Sequence, residues 1–443
     1  MRRSHRCSWL IALLLAATPL LSAAADSVSN ARAAYDQGRY TEALKTLDQL
    51  IAKGNGPSGA LELRLKVYLK LRQADKALSD YSRLSERAQG DQKLLRELCL
   101  GIIASYLGDM REQVRGAVVT ALKEIGGADT LPLLEEALAD PSGLVRALAV
   151  EAMGREGHAD RSVRLRKVLN DPAALVRAAG LRALADSGDR TAVPEIERAL
   201  EDEQPRVRAA ASAALVALGR PEALTAVLEA LRNPKPDERV AVLHILGHLT
   251  DERVVGPLLD SLSDQQPIVR ATAAGILAER KEEKAIGGIT ALLTDPVPRV
   301  RGAAAMSLSK LQGPQAAGLL EPLLRETVEV VRAEVAAALL AYRPAAAGPV
   351  VLAVLQSPDP GVRSGLANAL GQTQSSAALP FLLELLGDAT PRPRIVAIRY
   401  LAHVGTKQQL AVLKPILNDA DIAVRVTAAG AIGRLLNKGD RQN

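Results

Sequence analysis

An arginine returns with a 31-residue period through most of this chain: Arg115, Arg146, Arg177, Arg208, Arg239, Arg270, Arg301, Arg332, Arg363, Arg394 and Arg425. The eleven copies keep register without one insertion or deletion. The residue before the Arg is Val in nine copies, with Glu238 and Pro393 as exceptions. Seven positions after it stands Leu in nine copies, with Met153 and Ile432 in the others. A fixed period of this length is the mark of a stacked repeat array. One tile cannot bury its own apolar face; identical neighbours can bury it.

Each tile encodes two helices. Six residues before the Arg stands Asp in eight copies, from Asp109 to Asp419, with Asn233, Glu326 and Ser357 in the other three. These residues read as N-caps of the second helix. Pro141, Pro172, Pro234, Pro296 and Pro358 follow directly and read as first helical residues. Small and apolar residues then recur at spacings of three and four, as in Val176, Gly180, Ala183 and Leu184. Gly126, Gly157, Gly188 and Gly219 read as helix ends. The first helix is shorter and richer in Leu, as in LPLLEEAL and ALPFLLELL.

This tile of Asp, Pro, Val-Arg and Ala-Leu-Gly resembles the HEAT-repeat family, and within it the short, regular variety named after phycobilin lyases. The resemblance covers residues 92–443. It implies an all-α, right-handed α-solenoid of about eleven 31-residue helix pairs, with the Asp and Arg of successive repeats bonded in a ladder inside the stack. Local irregularity is expected at Glu238 and Pro393. Stacked at about 8–10 Å each, the pairs are expected to give an elongated particle on the order of 100 Å long.

Residues 26–91 follow another period. Gly38, Tyr40 and Ala43 in AAYDQGRYTEAL have a degenerate echo at Arg72, Ala74 and Ala77, one 34-residue period later. This resembles the tetratricopeptide family, and reads as a helical cap for the larger stack or as a peptide groove.

Residues 1–25 read as a secretory signal peptide. Arg2, Arg3 and Arg6 precede the apolar run Trp9–Leu21, and Ala23 and Ala25 offer a cleavage site before Asp26. A periplasmic or secreted protein is expected, with no membrane insertion after cleavage. Cleavage removes three Arg and no acidic residue, so the net charge falls from +6 to +3. That balance, with one Phe and no Trp after residue 25, disfavours nucleic-acid binding. Cys99 alone survives cleavage, and its run LLRELCLGII reads as buried helix.

Catalytic signatures are missing. No phosphate-cradling loop and no G-x-S-x-G elbow occurs. The HEAT family includes deoxyhypusine hydroxylases, which bind iron through His-Glu dipeptides; this chain has none. His244 and His248 share a helix face, yet HILGH lacks the Glu of a zinc-protease motif. No catalytic residue, metal or cofactor is expected.

One pair of columns is variable and polar where the rest of the second helix is small. Five and nine positions after the landmark Arg stand Glu151 and Arg155, Arg182 and Asp186, His244 and His248. Glu279, Lys310, Asn368, Gln372, Arg399, His403 and Arg434 continue them. Stacking aligns these residues into a stripe, and the resemblance to HEAT proteins, whose second helices line the concave side, implies that it lies on the concave wall. The reading is an exported, non-enzymatic scaffold or adaptor that binds a protein or peptide partner there. The alternative is an enzyme, or enzyme subunit, of the lyase or hydroxylase type.

Overall fold

A computed structural model describes residues 26–52, 58–154 and 161–438. The signal-peptide reading therefore lies outside the described residues, as does Gly157. Among the described residues every regular element is a helix. The chain divides into two compact units, the first ending at Met110 and the second beginning at Arg111.

The first unit contains helices over residues 26–36, Tyr40–Ala52, Ser58–Lys70, Ala74–Ser82 and Gln92–Ser105. The second helices of its two pairs begin at Tyr40 and Ala74, which keeps the 34-residue spacing. Gly38 turns the first pair with φ +74°, and Arg72 turns the second with φ +55°. Arg72 thus takes the left-handed conformation that glycine adopts without steric cost. Ala43 and Ala77 are both fully buried, where larger side chains would separate the helices. Arg64 grips the buried Asp80 with two hydrogen bonds of 2.7 and 2.6 Å. Cys99 is buried in Gln92–Ser105. The 31-residue register counts that helix as the opening of the repeat array, but it clusters with the first unit.

The second unit is built on eleven long helices, one per landmark Arg, among the described residues. They are α1 (Glu112–Ile125), α2 (Gly143–Gly154), α3 (Ala174–Asp186), α4 (Pro205–Ala217), α5 (Pro236–His248) and α6 (Pro267–Glu279). Then follow α7 (Pro298–Gln312), α8 (Glu329–Leu339), α9 (Pro360–Gln372), α10 (Pro391–Val404) and α11 (Ile422–Asn437). Most of the outer helices between them are one or two turns long and end in a 3-10 turn.

The start of each inner helix differs from the expected cap. Asp171 is not the N-cap of α3: the helix begins at Ala174, three residues later. Its Oδ1 accepts the N–H of Ala173 at 2.8 Å and so shapes the turn that leads into the helix. Pro141, Pro172, Pro234, Pro296 and Pro358 therefore lie in this turn, ahead of the helices. The prolines that open inner helices are Pro205, Pro236, Pro267, Pro298, Pro360 and Pro391.

The ladder is present. Arg146 reaches Asp171 of the next repeat through Nε and Nη2 at 2.8 and 2.7 Å. Its Nη1 donates to the carbonyls of Asp140 and Pro141 at 2.8 and 3.2 Å. Eight Arg reach a carboxylate of the following repeat, six of them through both Nε and Nη2. Both sequence exceptions leave a mark. Glu238 pairs with Arg206 at 3.2 Å. Pro393 is accommodated inside α10, but Arg394 holds Asp419 through Nη2 at 2.8 Å and leaves its buried Nε unpartnered.

The second unit is not an elongated rod. Its last helix, α11, packs side by side on its first, α1, as closely as any two consecutive inner helices. Arg434 of α11 bonds Glu124 of α1 at 2.7 Å, and Asn437 donates to the carbonyl of Ile125 at 2.6 Å. The array curves into a closed ring. Eleven repeats close when each turns by about 33° relative to the last. Period and tile composition are the same for a straight and a closed stack, so the elongated expectation is corrected by the accumulated turn.

Candidate functional site

Five residues of the polar stripe, Glu151, Arg182, Asp186, His244 and His248, line one cavity. A concave cavity of about 300 Å³ runs across α1 to α5. Lys123, Glu151, Arg182, Asp186, His244 and His248 edge it. Its floor is alanine: Ala179 and Ala183 of α3, then Ala210, Ala213, Ala214 and Ala217 of α4. The tile explains the floor. Adjacent inner helices approach closely only over small residues, and α4 carries Ala at both stripe positions. Long polar side chains on α3 and α5 therefore flank a bare rung.

Part of the stripe is already paired within the ring. Glu151 accepts from Arg182 at 2.9 Å and lies 3.6 Å from Lys123, so three successive helices are linked by charge. Lys310 and Glu279 face each other at 3.9 Å, both exposed. Asn368 accepts from Tyr400 at 2.7 Å. Arg434 and His403 both meet Glu124, at 2.7 and 3.2 Å. Asp186, His244, His248, Gln372 and Arg399 are exposed. Arg155 lies outside the described residues.

The columns missed Lys123 and Tyr400. Lys123 stands eight positions after its landmark Arg and Tyr400 six, one off the chosen columns. Glu124 is in register; its value came from ring closure, which the columns do not encode. Tyr400 lies over Gly371 so closely that no Cβ fits there.

The electrostatics follow the curvature. His244 is open to solvent on one side, yet desolvation by the surrounding residues pulls its imidazole below the usual range; His248 and Arg182 act the same way, and Glu279 opposes them. Burial alone would raise the Glu124 carboxyl, but hydrogen bonds from His403 and Arg434 hold it below the usual carboxylate range. No group of three or more His, Cys, Asp or Glu gathers to hold a metal among the described residues. No described helix is long and apolar enough to cross a membrane.

Comparison with known proteins bears on the repeat. The family described as HEAT repeats matches residues 100–179, 162–247, 254–340, 329–394 and 380–442. No curated protein matches the chain. Among solved structures, human deoxyhypusine hydroxylase in complex with glycerol aligns at 20% identity over 57% of this chain and 98% of its own, with a TM-score of 0.31. The CpcE–CpcF complex of phycocyanin lyase from Nostoc sp. PCC7120 aligns at 25% identity, over 46% and 92%, with a TM-score of 0.34. YibA of E. coli aligns at 20% identity, over 66% and 97%, with a TM-score of 0.27. The matched family segments cover nearly all of the ring, tile by tile, and the chain belongs to the HEAT-repeat family.

Proposed function

We propose that this protein is an exported scaffold or adaptor that binds a protein or peptide partner on the inner wall of its HEAT-repeat ring. The observation that carries the reading is the alanine floor of α4 between the polar rungs of α3 and α5. An apolar side chain of a partner fits the floor, and the flanking His, Arg and Asp groups fix its polar neighbours. Stacked repeats offer extended concave surfaces of this kind. A scaffold role also agrees with the missing His-Glu dipeptides. Export, to the periplasm in preference to the medium, rests on the basic start, apolar run and Ala-x-Ala of residues 1–25.

The test compares two walls. Partners captured by the full mature chain are identified by mass spectrometry, then titrated against His248→Glu and Arg399→Glu. Glu197→Lys on an outer helix is the control, since Glu197 is exposed there. Inner reversals should weaken the complex and leave the melting temperature unchanged. Their effect should shrink in high salt, where screening acts within roughly 10 Å. Equal weakening by inner and outer reversals rejects the inner wall. N-terminal sequencing should place the mature start at Asp26 or within two residues; an intact Met1 in the membrane fraction rejects export.

A further inference from the structure

The ladder has a rung with no carboxylate, and a cavity opens beside it. Arg208 is held like the other ladder arginines: its Nη1 donates to the carbonyls of Asp202 and Glu203 at 2.7 and 3.1 Å. In six other repeats both Nε and Nη2 of the guanidinium bond a carboxylate of the following repeat, and in two more, at Arg301 and Arg394, one nitrogen does. Here the position is Asn233, whose Oδ1 accepts the N–H of Lys235 at 2.9 Å, the same turn bond the ladder carboxylates make, but which offers Arg208 no carboxylate. A cavity of about 580 Å³ lies between the start of α4 and the outer helix Leu224–Ala230. Arg208, Arg232 and Asn233 line one part, with Glu229 as the one acidic residue of the lining; Asp202 and Glu203, on whose carbonyls Arg208 sits, lie beside it. Leu200 and Pro205 supply apolar surface in the same cavity. The other rung without an acid behaves differently. At Ser357 the side chain is buried and bonded to Glu329 at 2.9 Å.

We propose that this open rung is a binding site for the free C-terminus of a peptide chain ending in an apolar residue. Three points support it. The ladder itself shows what the guanidinium edge accepts: a carboxylate on two parallel N–H groups. Arg208 and Arg232 outweigh Glu229, so the cavity favours an anion. A C-terminal residue carries its carboxylate and side chain on one Cα, so both reach a cavity that joins two guanidinium groups to apolar surface. The site lies apart from the inner wall, and its fate does not depend on the reading given above.

The experiment uses the full mature chain and a fluorescein-labelled hexapeptide, Ala-Gly-Ala-Ser-Ala-Leu, in anisotropy titrations. Three forms are compared: the free acid, the C-terminal amide, and the amide with Glu in the fifth position. The free acid should bind about tenfold or more tightly than the amide, the scale of a lost charged hydrogen-bond pair. Asn233→Asp places the protein's own carboxylate on Arg208. It should abolish the preference for the free acid without lowering the melting temperature. Arg208→Gln should do the same to binding. Equal binding of acid and amide overturns the proposal, as does an unchanged acid preference in Asn233→Asp. Binding of the Glu-containing amide as tightly as the free acid also overturns it, because the site would then read acidic side chains.

Discussion

Two junctions in the ring show opposite ways of joining neighbouring repeats. Between α4 and α5 the chain is continuous, yet the ladder lacks its carboxylate and a cavity opens. Between α11 and α1 no chain passes, yet the helices are packed tightly. At this seam Gly430 lies against Ala121, and a Cβ built on it would come within 2.8 Å of Ala121 Cα and Cβ. A Cβ on Gly433 would come within 2.5 Å of the Ile125 side chain. Glu124 then gathers Arg434 and His403. Covalent continuity therefore does not decide how well two repeats fit. The residues at the contact decide it, because packing energy comes from removed area and filled volume.

The largest effect should come from separating α11 from α1. Gly430→Val puts a branched side chain where not even a methyl group fits. Overpacking of this kind costs about 1–3 kcal/mol, and more if the seam parts. Gly275 is the internal control: it occupies the same repeat position in α6, and its Cβ would meet nothing within 4 Å. Gly275→Ala should be neutral or stabilising by roughly 0.5–1 kcal/mol, since glycine is a weak helix former. Small-angle scattering should show a larger radius of gyration for Gly430→Val and no change for Gly275→Ala. An unchanged radius and melting temperature for Gly430→Val would mean that the seam does not hold the ring.

A smaller effect should follow from converting a sound junction into one like α4/α5. Asp171→Ala removes the carboxylate shared by Arg146 and the Ala173 N–H. Leaving a half-buried guanidinium without its partner costs about 1–3 kcal/mol. Glu197→Ala, at an exposed site, should fall within about 0.5 kcal/mol of the parent. Equal melting temperatures for the two variants would strip the ladder of its structural role. Acid offers the same test without mutation. Burial alone would raise the Asp171 carboxyl; the bonds from Arg146 and Ala173 outweigh it and hold it low. At Asp388 the Arg363 hydrogen bond leads, and the carboxyl is pulled down to about 2. Carboxyls depressed in the fold stabilise it fully above their ordinary value near 4. That stability is lost as pH falls from about 4 toward 2, so unfolding should steepen across this window.

The sequence disclosed the tile and concealed the ring for one physical reason. Period, Arg column and small-residue faces are properties of a single repeat, and any stack of such repeats displays them. Curvature is a sum over junctions. It depends on pairings such as Gly154 under Ala183, Gly247 under Ile276 and Gly371 under Tyr400, where the bulk of one residue meets a gap on the neighbouring helix. A column read down one position does not register a fit between two positions. The same limit hid the partners of Glu124, which lie 279 and 310 residues away. Polarity on a small-residue helix, by contrast, is a one-column signal, and the expectation of a stripe rested on that alone.

A third kind of junction sets a pH effect of opposite sign. Between α7 and α8, Glu334 takes a position where neighbouring repeats carry Ala303 and Gly365. Its side chain fills the space a Cβ on Gly302 would need. Its buried Oε2 has no hydrogen-bond partner. Burial raises the Glu334 carboxyl to about 7, and only Arg299 opposes the shift. The fold therefore holds a proton on Glu334 that the unfolded chain releases near pH 4. Stability tied to that proton is present below about pH 4 and is lost as pH rises through about 7. Glu334→Gln keeps the shape without the charge. Relative to the parent it should be stabilised by on the order of 2 kcal/mol at pH 8. The gap between the two should close toward pH 4 in melting curves taken across that range. A gap that does not vary with pH would mean that Glu334 ionises freely, and that the α7/α8 junction is wetter than its packing implies.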